Sequence, residues 1–186
     1  MAQVLRLRPP HLSLVKDLVM QSPEYFGHTP EESERVYKYI ERLVTSESQT
    51  FFAYEDRGRL LSMLGQRFVL TAPTWIENFV FLDKETTKLY NLHTTGFLHV
   101  LDTAIREAEA TSRQTFLTAF ITSQLETRLK ATARALEKYP DHALHKYVPS
   151  LWYTEGNFED CNFLLGLSKA YNQPAVILQW TKPIPF

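Results

Sequence analysis

The sequence predicts an α/β fold of the α+β kind. We expect a mixed, mostly antiparallel central sheet of about six or seven strands, flanked by helices on both faces. Three observations support this: apolar residues make up 44% of the chain, helical and strand-like patterns alternate along it, and no internal repeat is visible. Since 186 residues can bury a core of their own, we predict a single domain over residues 1–186.

The N-terminal segment is predicted to form a strand and a helix. The stretch VLRLRPP alternates apolar and basic residues and stops at Pro9 and Pro10, which is typical of a short strand. From Leu12 to Met20 the apolar residues recur at helical spacing. This spacing predicts the first helix.

The second helix has the clearest start signal in the sequence. Thr29 offers a capping hydroxyl, Pro30 suits the first helical position, and two glutamates follow at the positive end of the helix dipole. The helix is predicted to extend to about Val44. Its predicted buried side chains are Val36, Tyr39, Ile40 and Leu43.

Three strands are predicted to come next and to form a meander. The apolar runs TFFAYE and LLSMLGQRFVL are separated by Asp56, Arg57 and Gly58, which is a hairpin pattern. A third apolar run, WIENFVFLD, extends from Trp75 to Asp83. It is predicted to be the fourth strand of the chain.

The second half of the chain continues this alternation. We predict a helix from about Gly96 to Ala110, a buried strand from Thr115 to Ser123, and a helix from Leu125 to Tyr139. In the last 46 residues, LHKYVPSLWYTE is predicted to contain a strand and PAVILQWTK a final strand. The intervening DCNFLLGLSKAY is compatible with a strand or a short helix.

Charge and composition argue against several classes of partner. The net charge of −1 provides no basic field for nucleic acid or an anionic membrane, and no stretch of 18 apolar residues occurs. The single cysteine, Cys161, allows no internal disulfide, which favours a soluble, cytoplasmic protein. The spacing of His93 and His99 does not suit a metal site, and we expect no metal. His142 and His145 are interpreted as electrostatic partners of a helix end.

The predicted order of elements, β α α β β β α β α followed by strands, resembles the acyl-CoA N-acyltransferase fold of the GNAT family. The resemblance covers nearly the whole chain. It implies that the turn and helix after the fourth strand bind the pyrophosphate of acetyl-CoA or another acyl-CoA. The family's loop has the form Q/R-x-x-G-x-G/A, and N-L-H-T-T-G lies at that place here, with Gly96 at its second glycine position.

The resemblance assigns both side chains and backbone amides to this cofactor site. Glycines let the backbone approach a phosphate, and a helix start favours an anion. An ordinary alternative is that Thr94 or Thr95 caps a helix whose Phe97 and Leu98 pack into the core. The residues implied in cofactor binding are Asn91, Thr94, Thr95, Gly96, Phe97 and Leu98.

The resemblance also implies two catalytic residues. Glu77 is the acidic residue inside the fourth predicted strand, and a carboxylate there often serves the family as the general base. A tyrosine near the end of the helix after the fifth strand often protonates the leaving thiolate, and Tyr139 has that position. The alternatives are a solvent-facing glutamate and a tyrosine that packs at a helix end.

Two functions follow from these observations. The first is that the protein is an acyl-CoA-dependent N-acyltransferase, which transfers an acetyl group to an amine of unspecified identity, or a degenerate relative of such an enzyme. The second is a non-catalytic GNAT-like structural or interaction protein, such as a bacteriophage virion or assembly component. The aromatic-rich stretches LWYTEGNFEDCNF and LQWTKPIPF would suit the interface of a homo-oligomer or a larger assembly.

Overall fold

Strands and helices follow one another in the predicted order. The computed structural model describes residues 1–21, 29–47, 49–67, 74–77, 92–111, 115–121, 123, 125–152 and 174–183. The described strands are β1 (Gln3–Arg6), β2 (Thr50–Asp56), β3 (Arg59–Arg67), β4 (Thr74–Glu77), β5 (Thr115–Ile121), β6 (Val148–Trp152) and β7 (Ala175–Thr181). The described α-helices are α1 (Leu12–Gln21), α2 (Pro30–Thr45), α3 (Leu92–Ala110) and α4 (Leu125–Leu136). Two short 3-10 helices cover Pro9–His11 and Ala143–Lys146.

The described residues divide between two compact units, residues 1–67 with 78–104 and residues 68–77 with 105–186. In the first unit, β2 pairs with both β1 and β3, and both pairings are antiparallel. In the second unit, β4 runs parallel to β5, and β7 lies antiparallel between β5 and β6. The predicted mixed and mostly antiparallel pairing is therefore confirmed. The assignment of residues 1–186 to one domain stays a prediction.

Helix α2 begins as its sequence predicts. The backbone of Thr29 is extended, its Oγ1 accepts a hydrogen bond from the Glu32 N–H at 3.2 Å, and Pro30 is the first helical residue. This side-chain acceptor satisfies one of the N–H groups that a helix start leaves without a partner.

The buried side of α2 differs from the prediction most at one tyrosine, while Val36 and Leu43, also predicted to be buried, are half-buried. Tyr37 is buried, whereas Tyr39, which was predicted to be buried, is 44% exposed. The Tyr37 hydroxyl donates to Glu41 Oε1 at 3.0 Å, and Lys16 Nζ of α1 lies 5.2 Å from the centre of its ring. These two contacts provide a polar partner for the phenol, so that its ring can be buried. The fully buried residues of the helix are Ser33, Tyr37, Ile40 and Val44.

Helices cover both faces of the sheet in the first unit. Ala53 packs in one core with Val15 of α1 and Ile40 of α2. The next residue of β2, Tyr54, points to the opposite face because side chains alternate along a strand. There its ring stacks on His99 of α3, with ring centres 5.6 Å apart and planes at 9°. The prediction of helices on both faces is confirmed for this unit.

The close approach of side chains explains why β3 has a glycine at position 65. Gly65 lies opposite Phe51 in the β2–β3 register. A Cβ added to Gly65 would lie 2.6 Å from Gln49 Nε2 and 2.8 Å from Phe51 Cε1. Any larger residue would have to displace the ring or the buried amide.

The β2–β3 hairpin turns at Arg57 and Gly58, as predicted. Both residues have positive φ, 53° and 78°, which is typical of a two-residue hairpin turn. The buried carboxylate of Glu55 accepts a hydrogen bond from Gln3 Nε2 at 3.0 Å and another from the Gly58 N–H at 2.5 Å. These two bonds, the one from Gln3 first, outweigh the effect of burial and lower the pKa of Glu55.

The lowered pKa of Glu55 predicts a loss of stability in acid. Its folded pKa lies below the ordinary value of 4.5, so the stabilisation is complete above about pH 4.5 and is lost as the pH falls through the folded pKa. Unfolding by denaturant between pH 7 and pH 3 should therefore show a shallower acid loss for Glu55→Gln than for the natural protein. The exposed Glu31→Gln serves as the matched control. Equal acid slopes in the natural protein and Glu55→Gln would contradict the prediction.

An aromatic cluster forms the core of the second unit. The Phe116 ring of β5 stacks on Trp180 of β7 at 5.9 Å and contacts Tyr147 at 5.1 Å, measured between ring centres. Trp180 donates its indole N–H to Thr118 Oγ1 at 2.9 Å, in a buried hydrogen bond. The polar atoms of this core therefore find partners without reaching solvent.

Several helix and strand ends differ from the predicted ones. Helix α3 begins at Leu92, four residues before the predicted start at Gly96, and α4 ends at Leu136, three residues before Tyr139. The fourth strand is described over Thr74–Glu77, and its predicted continuation to residue 83 lies outside the described residues. The segment DCNFLLGLSKAY lies outside them as well. Among the helices of the described residues, none combines the length and apolar character that a bilayer span requires.

Candidate functional site

The start of helix α3 is where the sequence predicts an anion site. In any α-helix the N–H groups of the first turn have no acceptor within the helix, and the dipole makes this end positive. With the helix starting at Leu92, these N–H groups belong to Leu92, His93 and Thr94. The amides predicted to bind phosphate, those of Gly96, Phe97 and Leu98, lie one turn further inside the helix. Their N–H groups are therefore engaged by the helical ladder.

Of the other residues predicted to bind the cofactor, some lie within α3 and one precedes it. Thr94 and Thr95 lie inside the first turn, so neither is the capping residue that the alternative proposed. Asn91 lies outside the described residues. Leu98 is 1% exposed, so its side chain packs in the core as the alternative predicted. The binding role of these residues stays a prediction.

The parallel pair of β4 and β5 carries the predicted general base. Thr74 lies opposite Phe116, and Trp75 lies opposite Leu117. Glu77 is the last residue of β4, two positions beyond the paired Trp75. Its role as the general base stays a prediction. A carboxylate at a strand end can accept a proton where the chain leaves the sheet.

Tyr139, the predicted general acid, lies in the turn that follows α4. It is half-buried, and its N–H donates to the Leu136 carbonyl at 2.9 Å. Its own carbonyl accepts from the His142 N–H at 3.1 Å and from His145 Nε2 at 3.0 Å. Three hydrogen bonds therefore fix the backbone of Tyr139 in a defined turn. Its role as an acid stays a prediction.

The two histidines after α4 act as capping groups. His145 Nε2 donates to the carbonyls of Leu136 and Tyr139, at 3.1 and 3.0 Å, which lie at the end of the helix. His142 Nδ1 accepts from the Leu144 N–H at 3.0 Å and starts the short 3-10 helix. The interpretation of His145 as a partner of a helix end is confirmed.

Helix α4 leaves its apolar side partly accessible. None of its twelve residues, all within the described part of the chain, is fully buried. The leucines at positions 125, 129 and 136 share one side of the helix and are half-buried. This side can contact a further apolar group without any rearrangement of the helix.

Tyr147 is a buried polar residue that the sequence did not single out. Its hydroxyl donates to Glu109 Oε1 at 3.2 Å, and Lys182 Nζ lies 3.5 Å from the same oxygen. Burial, together with the charge and hydrogen bond of Glu109, raises the pKa of Tyr147. The phenol therefore stays protonated and anchors the end of α3. Glu109 and Tyr147 are 38 positions apart, so no local pattern could have paired them.

Metal ligands do not cluster in the part of the chain that the structure describes. There, no group of three or more His, Cys, Asp or Glu side chains is arranged to hold a metal ion.

Solved structures of acetyltransferases superimpose on nearly the whole chain. An N-acetyltransferase from Staphylococcus aureus matches with a TM-score of 0.59 and 14% identity over 97% of each chain. A protein assigned to the GNAT acetyltransferase family from Desulfovibrio desulfuricans matches equally well, with a TM-score of 0.59 and 14% identity over 98% of this chain and 100% of its own. The chain has a GNAT-like fold.

A third structure with the GNAT-like fold was solved with a ligand. The PaiA N-acetyltransferase from Thermoplasma acidophilum, in complex with coenzyme A, matches with a TM-score of 0.56 and 11% identity over 98% of this chain and 99% of its own. No family model and no curated protein matches this sequence. These superpositions establish the GNAT-like fold. Because the identities are low, the activity has to be argued from the site.

Proposed function

We propose that the protein is an acyl-CoA-dependent N-acyltransferase that transfers an acetyl group to an amine. The observation that carries the proposal is the GNAT-like fold over nearly the whole chain, shared with N-acetyltransferases and with one that binds coenzyme A. The neighbours named above are acetyltransferases, which favours this function over a non-catalytic assembly component. We propose the cytoplasm as its location.

Three features of the chain fit an acyl-CoA molecule. The amides of the first turn of α3, at Leu92, His93 and Thr94, have no acceptor within the helix and can donate to a phosphate, whose charge the helix dipole favours. Within the second unit, the half-buried leucines of α4 offer apolar surface of the kind that lines small-molecule sites. The parallel strands β4 and β5 carry a carboxylate where β4 ends. Asn91, just before α3, is proposed to contact the same ligand.

The reaction requires little from the protein beyond orientation and two proton transfers. Acyl-CoA supplies an activated carbonyl carbon, to which the amine nitrogen bonds while the carbon–sulfur bond breaks. Glu77 is proposed to accept the proton that the ammonium group must lose before its nitrogen can attack. Tyr139 is proposed to donate a proton to the departing thiolate, and solvent takes the second proton that the nitrogen loses as the amide forms. The products are an amide and free coenzyme A.

Titration with acetyl-CoA tests the proposal directly. We expect saturable heat in calorimetry and a rise in melting temperature, since a ligand at one hundred times its Kd adds about 2.7 kcal/mol to the stability of the folded state. Absence of both signals at millimolar acetyl-CoA would overturn the proposed function. The same negative result is what a non-catalytic relative predicts.

A charge placed at the helix start tests where the ligand binds. His93→Glu should weaken acetyl-CoA binding about tenfold, because a carboxylate there opposes a phosphate that the helix dipole attracts. Thr111→Glu, just after the other end of α3, is the matched control with the same added charge. Equal weakening in the two variants would show a general charge effect and would rule out binding at the start of α3.

A further inference from the structure

The solvent side of α2 carries a basic face made of Arg35, Lys38, Tyr39 and Arg42. These residues lie at positions i, i+3, i+4 and i+7 and therefore share one side of the helix. All four are exposed. The prediction that Tyr39 is buried was wrong, and its exposed side chain belongs to the same side of the helix as the three cations.

Two glutamates border the basic face, because Glu34 lies four residues before Lys38 and Glu41 three residues after it, and both have partners of their own. Glu34 pairs with Lys16 of α1 at 3.5 Å, and Glu41 accepts the Tyr37 hydroxyl at 3.0 Å. Among the residues that the structure describes, Arg35, Lys38 and Arg42 form no ion pair. The basic face therefore offers three exposed cations, and the two glutamates beside it contact other groups.

The length of the basic face suits a short extended acidic peptide. Arg35 and Arg42 are seven residues apart, or about 10 Å along the helix axis. In an extended chain, side chains on one side recur about every 6.6 Å, close to the spacing of neighbouring helical turns. Arginine guanidinium groups bind carboxylates through two parallel hydrogen bonds, and exposed tyrosines are enriched at protein interfaces.

We propose that the basic face of α2 binds a carboxylate-rich segment of a partner protein. Nucleic acid is the less suitable occupant, because its affinity rests on many phosphate contacts, whereas this face has three cations in a chain whose net charge is −1. Glu31 and Glu32, both exposed at the start of α2, limit the basic face at one end. The proposal is independent of acyl transfer.

Fluorescence anisotropy with a labelled octaglutamate peptide tests the proposal. We expect saturable binding to the natural protein that weakens as salt rises, and a rise in Kd of about tenfold or more for Arg35→Glu/Arg42→Glu, because like charges then face one another. Arg35→Gln/Arg42→Gln removes the charges without adding repulsion and should weaken binding less. Melting temperatures of both variants confirm that they are folded. Tyr39→Ala should weaken binding without changing the slope of its salt dependence.

A matched double reversal on another helix provides the control. Arg134 and Lys138 are exposed near the end of α4, and Arg134→Glu/Lys138→Glu changes the net charge by the same amount. Equal loss of binding in this variant would overturn the proposal, as would no binding of octaglutamate to the natural protein. Tighter binding of an eight-nucleotide single-stranded DNA than of octaglutamate would assign the face to phosphate and overturn it too.

Discussion

Glu77→Gln is expected to lower kcat by about a hundredfold to ten-thousandfold, which is the usual contribution of a general base. The amide has nearly the same size as the carboxylate but cannot accept the proton that the ammonium group loses. Binding of acetyl-CoA does not depend on this proton transfer. The KM for acetyl-CoA should therefore change little.

Release of the coenzyme A thiol, followed with a chromogenic disulfide against a panel of primary amines, measures this effect. The activity of Glu77→Gln should recover in part at high pH, where the amine is already neutral. Glu126→Gln, an exposed position on α4, is the control. If the kcat of Glu77→Gln equalled that of the natural protein, the general base would be another residue.

Phe116→Ala is expected to lower the free energy of unfolding by about 3–5 kcal/mol. Phe116 is 1% exposed, and its ring contacts both Trp180 and Tyr147. Removing the ring leaves a cavity between two large aromatic groups, each of which has its polar atom fixed by a hydrogen bond. These bonds limit how far the neighbours can move to fill the space.

Denaturant unfolding of the natural protein and the variant measures the difference. Phe116→Leu should recover more than half of the loss because it restores most of the volume. Leu151→Ala is the control for the loss of an apolar side chain, since Leu151 is 63% exposed and its truncation should cost less than about 0.5 kcal/mol. A loss below about 1 kcal/mol in Phe116→Ala would contradict the central role of this ring.

Elements with local signals could be predicted from the sequence. The Thr29 cap with Pro30 fixes the start of α2, and Gly58 fixes the hairpin turn with Arg57. In both cases the interactions that decide the conformation join residues only a few positions apart. The order of the elements, and through it the resemblance to a known fold, follows from the same short-range patterns.

Features that depend on distant residues were missed or misplaced. The start of α3 was predicted at Gly96, yet the helix also includes His93, Thr94 and Thr95, although none of them is a strong helix former. The burial of Tyr37 rather than Tyr39 depends on Lys16 of another helix. The candidate site depends even more on residues that are far apart in sequence. The sequence could therefore propose Glu77 and Tyr139 one at a time, but it could not predict the distance between their side chains.

The early start of α3 changes where a bound ligand would sit. Four additional residues move the beginning of a helix by about 6 Å along its axis and rotate it by only about 40°, since four residues make slightly more than one turn. The N–H groups at Leu92 therefore point to nearly the same side as those at Gly96 would. A phosphate bound there would approach the helix from nearly the same direction. It would lie about 6 Å further along the helix axis, so that a different part of the ligand would contact the rest of the protein.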